Sequence, residues 1–327
     1  MEFKGDGIYF GMPEDFYHKT PYLGSSNMKD LYASPPDYWW DSHMNPMRPP
    51  DNPTAAKVYG RAIHDRILYG EESFKKNYAK VEGETGDTVS AEGLKAWLRA
   101  QGSAPYKLKA DNEALIQHDY KIKLLTEDTY NAIMVSSAMI VKNPHLASAF
   151  TGGFPEVSIF WHDPEYKIPC KARLDYLKRV ATVDLKSFRG KDRYMTLDRI
   201  ILQDLFNYRY DVQVDHYQRG RFAAKALFEA DKVYVAPGAV RPDDAWLAKA
   251  LAKPVPWVFV FFKADGMPIS KSYEIPFGSP AHESGRVAVT VAMRNYQNFM
   301  ERFGTNQAWV NEDAPYPIDA EDLPKWL

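Results

Sequence analysis

The chain has 327 residues, 45% hydrophobic and 26% charged, with 41 Lys and Arg against 43 Asp and Glu; this excludes wholesale disorder and a coat of non-specific basic surface. Its one cysteine, Cys170, excludes an intramolecular disulfide and any four-cysteine zinc or iron–sulfur site, so no iron–sulfur cluster is expected. No apolar run approaches ~18 residues and MEFKGDGIYF lacks the marks of a secretory signal, so a cytoplasmic protein without a membrane anchor is expected.

The first 50 residues are rich in Tyr, Pro and Met. Ser25 or Ser26 can cap a short helix, NMKDLYAS, which Pro35 and Pro36 then stop, and the pair Trp39 and Trp40 reads as buried packing. In TAAKVYGRAIHDRILYG (54–70), Val58, Ala62, Ile63 and Ile67 recur at helical spacing, with Gly70 as a stop. Residues 71–125 are polar, with one weak helical stretch at SAEGLKAWLRA, and read as a surface insertion in a single domain spanning 1–327. A helix follows at TEDTYNAIMVSSAMIVKN, capped by Thr126, favoured by Glu127 and Asp128 at its positive end, and ended near Pro144.

The period then changes. PEVSIFWHD (155–163), IPCKARLDYLKR (168–179) and ATVDLKSF (181–188) are short β-branched and aromatic runs separated by short turns, which predicts an antiparallel meander. A helical region runs from Asp198 to about Glu229, with a break near Tyr210. PWVFVFFK (256–263) is a strongly apolar strand, SKSYEIPF (270–277) pairs back onto it through ADGMP, and a last helix precedes an acidic, proline-containing tail. The order is that of an α/β protein with one central mixed sheet flanked by helices.

Chemistry concentrates in the meander. Asp184 and Lys186 are two apart on a strand and project from one face. A hairpin centred between Arg179 and Val180 sets Asp175 opposite Asp184, and a turn centred between Glu165 and Tyr166 sets Glu156 opposite Asp175. Three carboxylates then lie in a row, a costly arrangement unless a cation sits among them. Hard oxygen donors suit Mg²⁺ or Mn²⁺, and Lys186 beside them can hold a water or stabilise charge on a phosphorane. Gln213 and Tyr217 share a helix face and can bond phosphate or sugar oxygens; His64 stands one turn after Gly60. From Glu165 to Lys225, fourteen Lys and Arg face eight Asp and Glu, which reads as a solvated basic face or as a groove for a polyanion. Arg173 is weighed between phosphate contact and a structural salt bridge, while Arg189, Lys191, Arg193, Arg219 and Arg221 are candidate phosphate contacts as a group. Cys170 reads as a small buried hydrophobe and His216 as incidental.

The ordered set G-x-x-x-H, Glu, Asp, Asp-x-Lys and Gln-x-x-x-Tyr resembles the RecB-type branch of the PD-(D/E)XK nuclease superfamily. More narrowly, Tyr17-His18, Ser25-Ser26, Ser34-Pro35, Pro155-Glu156-Val-Ser158, Cys170-Lys171-Ala-Arg173-Leu-Asp175 and the Pro-x-Trp tail at 324–326 are similar to the nuclease module of the exodeoxyribonuclease VIII (RecE) group and its phage relatives. The resemblance spans most of the chain, with 71–125 the least matched. It implies a restriction-endonuclease-like core, with metal held by His64, Asp175, Asp184 and the carbonyl of Leu185. It further implies Lys186 assisting the attacking water, Gln213 and Tyr217 near the DNA backbone, and Glu156 at the acidic position of the first strand. The implied activity is Mg²⁺-dependent 5′-to-3′ digestion of linear double-stranded DNA by a homo-oligomer, paired with a single-strand annealing recombinase in phage-type recombination. An endonuclease or single-strand nuclease on the same core, and a catalytically silent DNA-binding or assembly protein, are the alternatives.

Overall fold

The computed structural model describes residues 2–49, 54–101, 122–190, 194–264 and 267–311. Its strands are β1 (Gly7–Phe10), β2 (Tyr78–Val81), β3 (Lys123–Thr126), β4 (Phe154–His162), β5 (Pro169–Leu177), β6 (Thr182–Phe188), β7 (Val233–Val235), β8 (Trp257–Lys263) and β9 (Ser270–Ile275). Seven of them form one mixed sheet in the order β7-β1-β4-β5-β6-β8-β9, while β2 and β3 pair separately in parallel.

The meander has the register its turns dictate. Trp161 lies opposite Cys170 and Val157 opposite Leu174; Tyr176 lies opposite Val183 and Leu177 opposite Thr182. Strand β8 joins β6 in parallel, setting Asp184 beside Phe259 and Lys186 beside Phe261, and β9 folds back on β8. A parallel pair needs a long crossover. It runs through α8 (Leu197–Asn207) and α9 (Tyr210–Glu229), which meet at Arg209 in a left-handed conformation with φ 50°, and then through β7 and α10 (Asp244–Leu251).

Helices cover both faces of the sheet. Trp257, Phe259 and Phe261 pack with Val212 and Val214 of α9 and with Ala288 and Val289 of α11 (Pro280–Phe303). Val183, Leu185, Val260 and Phe262 point the other way, onto Ala62 and Ile63 of α4 (Ala55–Leu68) and Ile133 and Ile140 of α7 (Glu127–Lys142). Burial on both faces makes β8 read as a continuous apolar run, and each buried phenylalanine contributes about 1.5–3 kcal/mol.

Several expectations are corrected. Gly24, not Ser25 or Ser26, caps α2 (Ser25–Ala33), its N–H donating to the Asn27 side chain at 2.9 Å. Pro35 starts a helix instead of only stopping one: it is the first residue of α3 (Pro35–Asp41), where proline loses no hydrogen bond. Trp39 is buried as expected, but Trp40 is 50% exposed. The 71–125 region is not wholly superficial, since Phe74 of α5 (Gly70–Asn77), Tyr78 and Leu125 are buried in the core shared with α4 and β6. Strands β1 and β7 went unread in the sequence: GIYF and VYV are too short to show a period. They add to the sheet beyond β4, with β1 between the two. Among the described residues no helix is long and apolar enough to cross a membrane.

Candidate active site

Strands β5 and β6 are laddered over only two residue pairs and then part. In the gap, Asp175 Oδ2 accepts the Leu185 N–H at 2.9 Å, taking the place of a ladder carbonyl. On the other side of Leu185, its carbonyl meets His64 Nε2 at 3.1 Å. A carbonyl only accepts, so this contact puts a proton on Nε2. His64 Nδ1 then faces Asp175 Oδ2 at 3.6 Å. Helix α4 brings His64 here because Thr54 caps it, through the Lys57 N–H, and Ala62 and Ile63 are buried in the core. At Gly60, one turn before, a Cβ would meet open space.

Asp184 is fully buried on the face of β6 turned to α9. Gln213 Nε2 donates to Asp184 Oδ1 at 2.6 Å. Lys186 ion-pairs with the other oxygen, Asp184 Oδ2. The Lys186 ammonium also lies 5.2 Å from the Tyr210 ring centroid and 6.0 Å from that of Phe259.

The electrostatics follow from burying two like charges. Burial, then repulsion from Asp184, push the Asp175 carboxyl up to about 6, against the pull of His64, Lys186 and the Leu185 N–H. Burial alone would lower the Lys186 ammonium, but Asp184 and Asp175 outweigh it and hold the group above the ordinary lysine range.

Among the described residues no three His, Cys, Asp or Glu side chains converge as a ready cage for a metal ion. The donors nevertheless fit an ion that takes one or two carboxylates and keeps its waters, as Mg²⁺ does. Asp175 and Asp184 are the carboxylates, two buried like charges that burial and mutual repulsion make costly without a cation, and His64 Nδ1 and the Leu185 carbonyl flank them.

Glu156 does not complete a row of three carboxylates. It takes φ 51° on its strand, and its Oε2 accepts from Arg173 Nε at 2.8 Å. Arg173 is correspondingly engaged in a structural ion pair. Its guanidinium also donates to the Met12 carbonyl at 2.8 Å and Ser158 Oγ at 3.0 Å, and its side chain is only 13% exposed. Gln213 uses its amide nitrogen on Asp184. Tyr217 is buried against Trp257, ring centroids 5.5 Å apart, and burial raises its phenol while a hydrogen bond with Ser25 opposes the rise.

The local basic excess divides: Lys167, Arg179, Arg189, Arg199 and Lys225 are exposed, while others are engaged inside the protein. Lys171 donates to the carbonyls of Tyr17, His18 and Thr20; Arg219 pairs with Asp215 and Asp163; Arg221 donates to Thr182 Oγ1 and the Ala250 carbonyl. Arg189, just past β6, is exposed, whereas Lys191, Arg193 and the Pro-x-Trp tail lie outside the described residues. Cys170 is fully buried and burial pushes its thiol up. His216 is structural, its Nε2 3.0 Å from the Lys171 carbonyl. The sequence reading missed Lys29 and Tyr210: Lys29 Nζ lies 4.9 Å from the Tyr210 ring centroid, and only a position one turn after Ser25 on α2 hinted at it.

No family model and no curated protein matches the chain. The fold is similar to the crystal structure of a protein from Eubacterium rectale named "putative exonuclease", with a TM-score of 0.52 and 14% identity over 97% of this chain and 99% of that one. SSO0001 covers 63% of this chain and 84% of its own at 13% identity, with a TM-score of 0.25, too low to compare folds. The first likeness defines the class: a mixed α/β protein with a large helix-flanked sheet of the kind found in that structure.

Proposed function

We propose that this protein is a metal-dependent deoxyribonuclease that hydrolyses phosphodiesters from the ends of linear double-stranded DNA. The observation that carries the reading is the parting of β5 and β6 around Asp175, Leu185 and Asp184, with Lys186 on the acid pair. The fold likeness to a protein named as an exonuclease supports it.

Asp175, Asp184, the Leu185 carbonyl and His64 would hold Mg²⁺, or Mn²⁺ in its place. When bound, such an ion activates a water and neutralises charge on the attacked phosphate. Gln213 holds Asp184 in one rotamer by its 2.6 Å bond. The Leu185 N–H does the same for Asp175, so neither carboxylate must reorganise during the reaction. Lys186 donates to the attacking water or to the phosphorane oxygens. Tyr217 and Ser25 wall the site from α9 and α2.

Digestion from 5′ ends, a single catalytic domain over the whole chain, a homo-oligomer, a cytoplasmic setting and a single-strand annealing recombinase as partner in phage-type recombination complete the reading. To test it, linear and covalently closed duplexes are incubated with the protein in Mg²⁺ or EDTA and acid-soluble nucleotides are followed. Mg²⁺-dependent loss of the linear form alone is expected, abolished by Lys186→Ala. Cutting of both forms indicates an endonuclease; a Lys186→Ala variant as active as the parent overturns the site.

A further inference from the structure

Two ammonium groups stand at the Tyr210 ring. Lys186 Nζ is 5.2 Å from its centroid and Lys29 Nζ, arriving from α2, is 4.9 Å away. Met28 and Leu31 anchor that helix in the core, which fixes where Lys29 emerges. Lys186 has Asp184 as its ion-pair partner, but Lys29 pairs with no carboxylate among the described residues. The nearby Asp211 is spent on Arg209, at 3.0 Å to each of its oxygens, and on Ser284 at 2.9 Å.

An ammonium in this position is a cost to the fold. Burial first, and then repulsion from Lys186, pull Lys29 down to about 8, against attraction from Asp184, Asp211 and Asp30, none of them in ion-pair contact with it. A partly desolvated cation beside a second cation, without its own counter-charge, is destabilising unless an anion arrives. The charge balance points the same way: Asp175 and Asp184 offset Lys186 and Lys29, so a divalent cation at the acid pair leaves the corner positive.

We infer that Lys29 is a substrate-binding residue, its ammonium contacting a backbone phosphate of the nucleic-acid strand held at the Asp175–Asp184–Lys186 site. The inference rests on the proposed nuclease reading, and it deepens it by naming the group that fixes the strand beside the acids. Phosphate contacts of this kind position the backbone without reading sequence.

The test is binding, not cleavage. A fluorescent linear duplex is titrated with the parent, Lys29→Met and Lys29→Arg proteins at several salt concentrations in Ca²⁺, and melting temperatures are measured alongside. Lys29→Met should bind roughly tenfold more weakly at low salt and flatten the plot of log affinity against log salt by about one unit, the share of one phosphate contact. Lys29→Arg should recover both, and the melting temperature of Lys29→Met should not fall. An unchanged salt slope in Lys29→Met, with the parent binding normally, overturns the role of Lys29 and leaves the nuclease reading standing. A lowered melting temperature that Lys29→Arg does not rescue assigns Lys29 to packing. A parent protein without salt-dependent duplex binding overturns both.

Discussion

The carboxylate of Asp175 is bonded to the backbone N–H of Leu185 at 2.9 Å, across the gap where β5 and β6 separate. One side chain thus does two things: it closes the edge of a broken ladder and presents a negative charge to the space beside Asp184.

The two roles separate in two substitutions. Asn in Asp175→Asn keeps an oxygen for the Leu185 N–H and loses the charge; Asp175→Ala leaves that N–H unpaired, which costs about 1–3 kcal/mol. Urea unfolding of the metal-free proteins should rank the alanine variant below the asparagine variant by that amount, and both should be inactive as nucleases. Equal unfolding midpoints would show that the N–H finds another partner.

Asp175 also predicts a pH dependence. Its carboxyl is raised to about 6 in the folded chain, against about 3.9 unfolded. The folded state therefore holds this proton more tightly. The stabilisation is fully present below pH about 4 and is lost as pH rises through about 6, an effect on the order of 3 kcal/mol. Unfolding free energies in EDTA between pH 4 and 7 should fall more steeply for the parent than for Asp175→Asn. Parallel curves would refute the assignment.

Arg173 and Glu156 form a largely enclosed pair, and removing one partner strands the other. Arg173→Ala should lower stability by about 3–5 kcal/mol, read as a drop in thermal midpoint, while leaving the salt dependence of duplex binding unchanged. A flattened salt slope with unaltered stability would instead return Arg173 to the DNA.

At Gly285 of α11, an added Cβ would stand 2.1 Å from the Asp211 carbonyl. Gly285→Ala should therefore push α11 off the start of α9 and cost about 1–3 kcal/mol or more. Because Gln213 is two residues beyond Asp211, cleavage should fall further than the loss of folded protein explains. Activity per folded molecule equal to the parent's would show that α9 absorbs the shift without moving Gln213.

The meander was legible because short turns leave little freedom of register: turns centred at Arg179–Val180 and Glu165–Tyr166 align Tyr176 with Val183 and Val157 with Leu174. What failed at Glu156 was orientation, since a left-handed residue leaves the alternation from which a shared face was inferred. Arg173 shows the related limit that spacing cannot say whether a guanidinium turns outward or finds a carboxylate on the neighbouring strand. Lys29 was invisible for another reason. It belongs to no spacing pattern with Asp184 and reaches the site only because α2 packs across α9.

Strand β1 ends at Phe10 and pairs with both β4 and β7, the latter ending at Val235. During synthesis β1 therefore waits about 150 residues for β4, and its other edge about 225 residues for β7, the latter roughly 10–45 s at usual elongation rates. The sheet cannot close progressively from its N-terminal end. Its completion depends on contacts very distant in sequence, which predicts slow folding and an interval in which GIYF is open to chaperones or to other chains.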